Sequence, residues 1–183
     1  MTAIVGIAEA GTVYIGGDSG SSDGWLESVR ADAKVFRNGL YVMGFTTSFR
    51  MGQLLHWALE PPTPTGELER FMSTTFIDAV RACLKAGGWA TKENEHERGG
   101  VFLVGVWGRL FIVEGDYQVG EPAAGWTAVG SGYLVALGHL DATAKTGRAP
   151  RSRIKGALEA AERHTAGVRG PFAIVTTGGR TAH

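Results

Sequence analysis

The chain has 183 residues, 18 basic and 18 acidic side chains, and a formal net charge of zero. That length suits a single domain over residues 1–183 with a sizeable core, and the charge balance gives no electrostatic basis for nucleic acid or an anionic membrane as partner. Cys83 is the one cysteine, so no disulfide can form within the sequence, and neither a signal peptide nor an apolar run of membrane-spanning length is evident; a cytoplasmic protein is expected.

In chain order, Thr2 directly follows the initiator methionine, and its own side chain is small enough for Met1 to be trimmed. Thr2 would then carry a free α-amine, with an ordinary pKa near ~7.7–8.0, beside its hydroxyl, so one residue would supply both nucleophile and base. Residues 3–8 are an apolar run of strand length, 9–11 signal a turn, and 12–17 form a second apolar run ending at Asp18. This predicts a hairpin that returns Asp18 to the start of the first strand. A polar turn (19–24) and a short strand (25–30) lead to Lys34, whose positive charge, held between a carboxylate and the Thr2 hydroxyl, would lower the hydroxyl's pKa. The carboxylate in turn favours the lysine's cationic form.

Further on, residues 39–45 read as a strand, 48–59 as a helix stopped by Pro61 and Pro62, and 66–86 as a helix with Leu68, Phe71, Met72, Phe76, Val80 and Cys83 on one face. Residues 89–100 are polar and charged and read as a solvated loop or a frayed helix end. Strands at 101–107 and 110–114 follow, then a loop at 115–125, a strand at 126–129, a helix from Ser131 to about Lys145, a second helix starting at Pro150, and a last strand at 172–177. Ser131 suits the N-cap of its helix. The five histidines have no metal-ligand spacing, and no glycine pair forms a phosphate-cradling motif. The order of elements implies an α+β chain of two packed antiparallel sheets with helices on each outer side.

Thr2, the Gly17-Asp18 strand end, Lys34 ahead of a third strand, and Gly130-Ser131-Gly132 together resemble the proteasome β-subunit family and its bacterial relative, the peptidase subunit of an ATP-dependent protease. The resemblance covers nearly the whole chain. It implies the four-layer α-β-β-α sandwich of the N-terminal-nucleophile (Ntn) hydrolases. It also implies Thr2 as nucleophile, Asp18 and Lys34 as its charge partners, and Ser131 as hydrogen-bond partner of the terminal amine. The family's oxyanion loop corresponds to residues 44–48, where Gly44, Thr46 and Thr47 are the candidate backbone donors. Many members also have an Asp after the last long helix; residues 161–167 contain none.

The activity so implied is that of a threonine endopeptidase, acting through an acyl-enzyme on unfolded polypeptide or peptide, with no cofactor. Its setting would be a homo-oligomeric ring, with an ATPase unfoldase as a partner. Two rivals are a catalytically inactive ring or scaffold subunit, and an Ntn amidohydrolase of a small amide.

Overall fold

The structure is a computed structural model and describes residues 2–93 and 96–178. Met1, whose removal a free Thr2 amine requires, lies outside the described residues, as do Asn94, Glu95 and 179–183, which include parts of the charged loop and the last histidine.

The strands are β1 (Ile4–Glu9), β2 (Thr12–Gly17), β3 (Gly20–Ser22), β4 (Glu27–Val29), β5 (Val35–Asn38) and β6 (Tyr41–Phe45), followed by helix α1 (Phe49–Gln53). A wide π turn at Leu54–Ala58 prolongs α1, and a second at Met72–Phe76 joins α2 (Leu68–Phe71) to α3 (Ile77–Ala86). Then come β7 (Thr91–Glu93), β8 (His96–Arg98), β9 (Phe102–Val106), β10 (Arg109–Val113), β11 (Val119–Gly120), β12 (Trp126–Val129), α4 (Tyr133–Thr143), α5 (Pro150–His164) and β13 (Ala173–Thr176).

Two antiparallel sheets result, one in the order β12-β1-β2-β13 and one in the order β11-β10-β9-β6-β5, with the two-stranded ribbons β3-β4 and β7-β8 beside them. Strand alternation sorts the apolar side chains into three layers. Ile4, Val13, Ile15, Val35, Val42, Leu103 and Leu110 meet between the sheets. Val5 and Ile7 point the other way, onto Ala136, Leu140, Ile154 and Leu158 of α4 and α5. Met43, Phe45, Phe102 and Val104 face outward from the second sheet onto Met51, Leu55, Phe76 and Val80. This is the α-β-β-α sandwich expected from the order of elements. No helix among the described residues is long and apolar enough to cross a membrane.

Several expectations shift. The polar turn at 19–24 is instead half of a ribbon, with Gly20 paired to Val29 and Ser22 to Glu27. A ribbon also occupies part of the charged 89–100 loop, and β11 lies inside the 115–125 loop, paired to β10. Short, polar strands of two or three residues leave no period-2 signature. On the second helix Cys83 is only half-buried, whereas Ile77 and Leu84 are buried. The π turn at Met72–Phe76 explains the change: one extra residue per turn rotates the face that follows it.

The inter-sheet layer depends on close backbone approach. A Cβ on Gly44 would lie 2.6 Å from Ile4 Cγ2 and 2.8 Å from Ile15 Cγ2, and one on Gly105 would lie 2.4 Å from Val13 Cγ1. Gly44 therefore serves sheet packing. It sits mid-strand, in register with Val35 on one side and Leu103 on the other, which removes it from the candidate oxyanion donors. We expect Gly44→Ala to lower stability by about 1–3 kcal/mol through overpacking, read as a lower urea midpoint with an unchanged slope.

Candidate active site

The pairing of β1 with β2, Ile4 opposite Gly17, brings Asp18 alongside Ala3. Backbone and side chain both hold it there: Asp18 N donates to Ala3 O at 3.3 Å, and Ala3 N donates to Asp18 Oδ1 at 3.0 Å. Gly20 N reaches Oδ2 at 2.9 Å, and Arg169 N reaches the same oxygen at 3.4 Å from the far side of the chain. A Cβ on Gly20 would lie 2.5 Å from Gly167 O, so a bare backbone is needed where the ribbon leaves the site.

Lys34 enters from the other sheet, just ahead of β5, anchored by Phe45 N donating to its carbonyl at 3.0 Å. Its Nζ lies 2.9 and 3.0 Å from the two Asp18 oxygens and 3.0 Å from Thr2 Oγ1. Both charged residues are 1% exposed. Burial outweighs the attraction of Asp18 and draws the Lys34 ammonium below its ordinary pKa of 10.5. The sequence suggested only the opposite pull, because burial depth is not a property of sequence spacing.

Thr2 is gripped at its backbone as well. Thr2 N donates to Ser131 Oγ at 3.0 Å, and the Ser131 hydroxyl donates to Thr2 O at 3.4 Å. Gly132 N also donates to Thr2 O, at 3.1 Å. Gly130, at φ +94°, comes so close that a Cβ there would lie 2.4 Å from the Thr2 carbonyl oxygen. Ser131 is not the N-cap of α4; Gly132 holds that position without a side-chain cap, which leaves the serine hydroxyl for Thr2.

Two oxyanion candidates remain, and the backbone distinguishes them. Thr46 N donates to Val101 O at 3.0 Å and is therefore committed. Thr47 has φ +61°, and Ser48 N donates back to Thr46 O at 2.6 Å, which makes a γ-turn centred on Thr47. The Thr47 N–H has no acceptor within the described chain, and Thr47 is among the residues that line a half-open cavity of about 90 Å³. Thr2 and Lys34 line one side of this cavity, residues 20–22 a second, and residues 45–49 a third. Sequence reasoning missed the Ser21, Ser22 and Phe49 walls: the serines resemble turn residues and the phenylalanine resembles core.

No family model matches the sequence, and no match is found among curated proteins. Solved structures do match. Thiobacillus denitrificans BPH aligns with a TM-score of 0.82 at 16% identity, covering 98% of this chain and 100% of that one. The same protein in complex with epoxomicin gives 0.78 at 17% identity, covering 95% and 97%. Eukaryotic HslV from Trypanosoma brucei gives 0.68 at 18%, covering 95% and 98%, and the Anbu (Gly-1) mutant from Hyphomicrobium sp. strain MC1 gives 0.68 at 15%, covering 96% and 81%. The chain thus has the Ntn-hydrolase fold of HslV, a proteasome-like peptidase subunit, and of BPH, at identities that speak for the fold alone.

Removing one member of a buried ion pair strands the other. Lys34→Met should cost about 3–5 kcal/mol in urea unfolding, and the Asp18→Asn/Lys34→Met double variant should cost less than the sum of the single changes.

Proposed function

We propose that the chain is a threonine endopeptidase whose nucleophile is Thr2, freed by removal of Met1. One observation carries this reading: a buried ammonium, Lys34 Nζ, bonds the Thr2 hydroxyl at 3.0 Å while the Asp18 carboxylate holds it from behind.

In the reaction the Thr2 Oγ attacks the substrate carbonyl carbon as its proton passes to the terminal amine, directly or through a water. The carbonyl oxygen becomes an oxyanion, stabilised by the Thr47 N–H, a type of contact worth about 10²–10³ in rate. The C–N bond then breaks, and the departing amine takes the proton from the terminal ammonium, leaving an ester on Thr2. Water adds to the ester, again losing a proton to the amine, and the Thr2 Oγ leaves with that proton restored. Lys34 remains a cation throughout and favours the attacking alkoxide. Ser131 orients the amine. Every proton step uses the chain's own groups.

The assembly we propose is a homo-oligomeric ring in the cytoplasm, taking peptides or unfolded chains, with an ATPase unfoldase as its feeding partner. Large apolar side chains left in solvent support a contact between copies: Trp25 is 99% exposed and Leu26 67% on the β3-β4 ribbon, and Trp57 is 78% exposed beside α1.

Intact mass after treatment with a peptide epoxyketone tests the mechanism. The expected result is a chain lacking Met1 with one covalent adduct, and no adduct in Thr2→Ala. Retention of Met1 without an adduct would instead favour a non-catalytic ring subunit. Ser131→Ala should slow labelling about tenfold, the worth of one hydrogen bond of about 1.4 kcal/mol.

The pH profile of labelling follows from the same groups. The acidic limb reports the terminal amine, which must be neutral to act as base. The alkaline limb reports loss of the Lys34 charge, and since burial lowers that pKa, the rate should fall before an ordinary lysine would titrate. A rate still climbing at about pH 10, close to the ordinary lysine value, would remove Lys34 from the mechanism.

A further inference from the structure

We infer that Glu162, in the last turn of α5, is a positioning residue for the Asp18 carboxylate, and that it acts through the backbone of residues 167–171, a strap laid against the site. The inference rests on the peptidase reading above.

The strap meets the segments that build the site. Arg169 N donates to Asp18 Oδ2 at 3.4 Å, and in return Ser19 N donates to Arg169 O at 2.8 Å. The Ser19 hydroxyl donates to Pro171 O at 2.6 Å. Residues 18 and 19 are thereby tied to the strap through backbone and side chain alike. Val168, fully buried, packs with Ala3 and Ala161 around Gly132, where a Cβ would lie 3.1 to 3.2 Å from all three. Gly132 is the residue whose N–H holds the Thr2 carbonyl. A shift of the strap would reach Asp18 first and Thr2 after it.

Two side chains set where the strap lies. From α5, the half-buried Glu162 accepts from Gly170 N at 2.8 Å, one residue beyond Arg169. From the strap itself, the Arg169 guanidinium reaches Glu27 Oε2 on β4 at 3.0 Å and donates to Val168 O at 2.8 Å. Movement toward the ribbon is blocked, because Gly167 O already lies where a Cβ on Gly20 would come within 2.5 Å of it. Without the Glu162 acceptor the Gly170 N–H must find water, and the Arg169 peptide turns with it.

The consequence falls on Lys34. Its Nζ faces the Asp18 carboxylate, Thr2 with its hydroxyl and amine, and, at 5.8 Å, the Phe49 ring that Arg30 covers. Asp18 opposes the burial that draws the Lys34 ammonium down. A carboxylate free to drift attracts the ammonium less, so the lysine would lose its proton at lower pH. Misplacement of Asp18 would therefore appear in the pH profile, where a loss of stability alone would not.

The test uses the full chain and one peptide epoxyketone, with second-order rates of Thr2 labelling read by intact mass from about pH 6 to about pH 11. Glu162→Ala should label about threefold more slowly at neutral pH, within the worth of one hydrogen bond, and its alkaline limb should lie at least about 0.5 unit lower. Glu162→Gln keeps the acceptor and loses the charge, so it should follow the parent. Arg169→Met keeps its backbone N–H but frees the strap from β4; its limb should also fall, although loss of a cation acting by charge alone would raise it. The same variant decides if Glu162→Ala does not fold. A limb that Glu162→Ala leaves in place, a Gln variant that behaves as the Ala variant does, or a limb that rises in Arg169→Met would overturn the positioning role and leave the peptidase reading intact. A folded parent that the epoxyketone does not label would overturn the peptidase reading, and this inference with it.

Discussion

Lys34 and Asp18 are each 1% exposed, and neither would be tolerable there alone, since transferring an unpaired charge into a protein interior costs several kcal/mol even after relaxation. Each makes the other possible, and the neighbouring backbone completes the arrangement. Asp18 accepts from Ala3 N and Gly20 N as well as from the lysine, so its lone pairs are well used. The pair joins the two sheets, because Asp18 follows β2 in one and Lys34 precedes β5 in the other. A change in sheet spacing would therefore be felt at Thr2, which the lysine touches.

Glycines set that spacing. Gly17 and Gly44 both face the inter-sheet layer, where an added Cβ would collide with Ile4, and Gly17 lies one residue from Asp18. Side chains in place of these glycines would wedge the sheets apart at the strand ends that carry the site. Gly130 and Gly132 perform the same service on the third side by letting a loop lie against the Thr2 backbone. The site is thus a place where three backbones converge, and the charged pair lies at the convergence.

Much of this was legible in the sequence because it depends on local order. A two-strand hairpin with a short turn fixes its own register, so Asp18 had to return beside Ala3. The Gly-Ser-Gly run marked a close approach, although sequence alone allowed Ser131 to be a helix cap, and only the placement of Gly132 at that position assigns the hydroxyl to Thr2. What was not legible depends on contacts between distant segments. Arg169 N reaches Asp18 across most of the chain length, and Phe49 reads as one more apolar residue on an amphipathic helix until Arg30 is found on its face. Gly44 was misread for the same reason: a glycine near a predicted loop suggests a loop function, whereas its neighbours lie in the opposite sheet.

The loop at 46–48 is held in place by its own side chains. A left-handed conformation at a β-branched residue is strained, of order 1–3 kcal/mol, and persists only if its surroundings impose it. Here the threonines themselves supply the restraint. Thr46 Oγ1 donates to Val101 O at 2.9 Å, Val101 N donates to Thr47 Oγ1 at 3.2 Å, and the two hydroxyls lie 3.2 Å from each other. Glycine would reach the same φ without strain but would contribute no such links to β9. The hydroxyls therefore exchange conformational ease for rigidity, and the rigidity is spent on a single outcome, a Thr47 N–H left without an acceptor in a residue that lines the same cavity as Thr2.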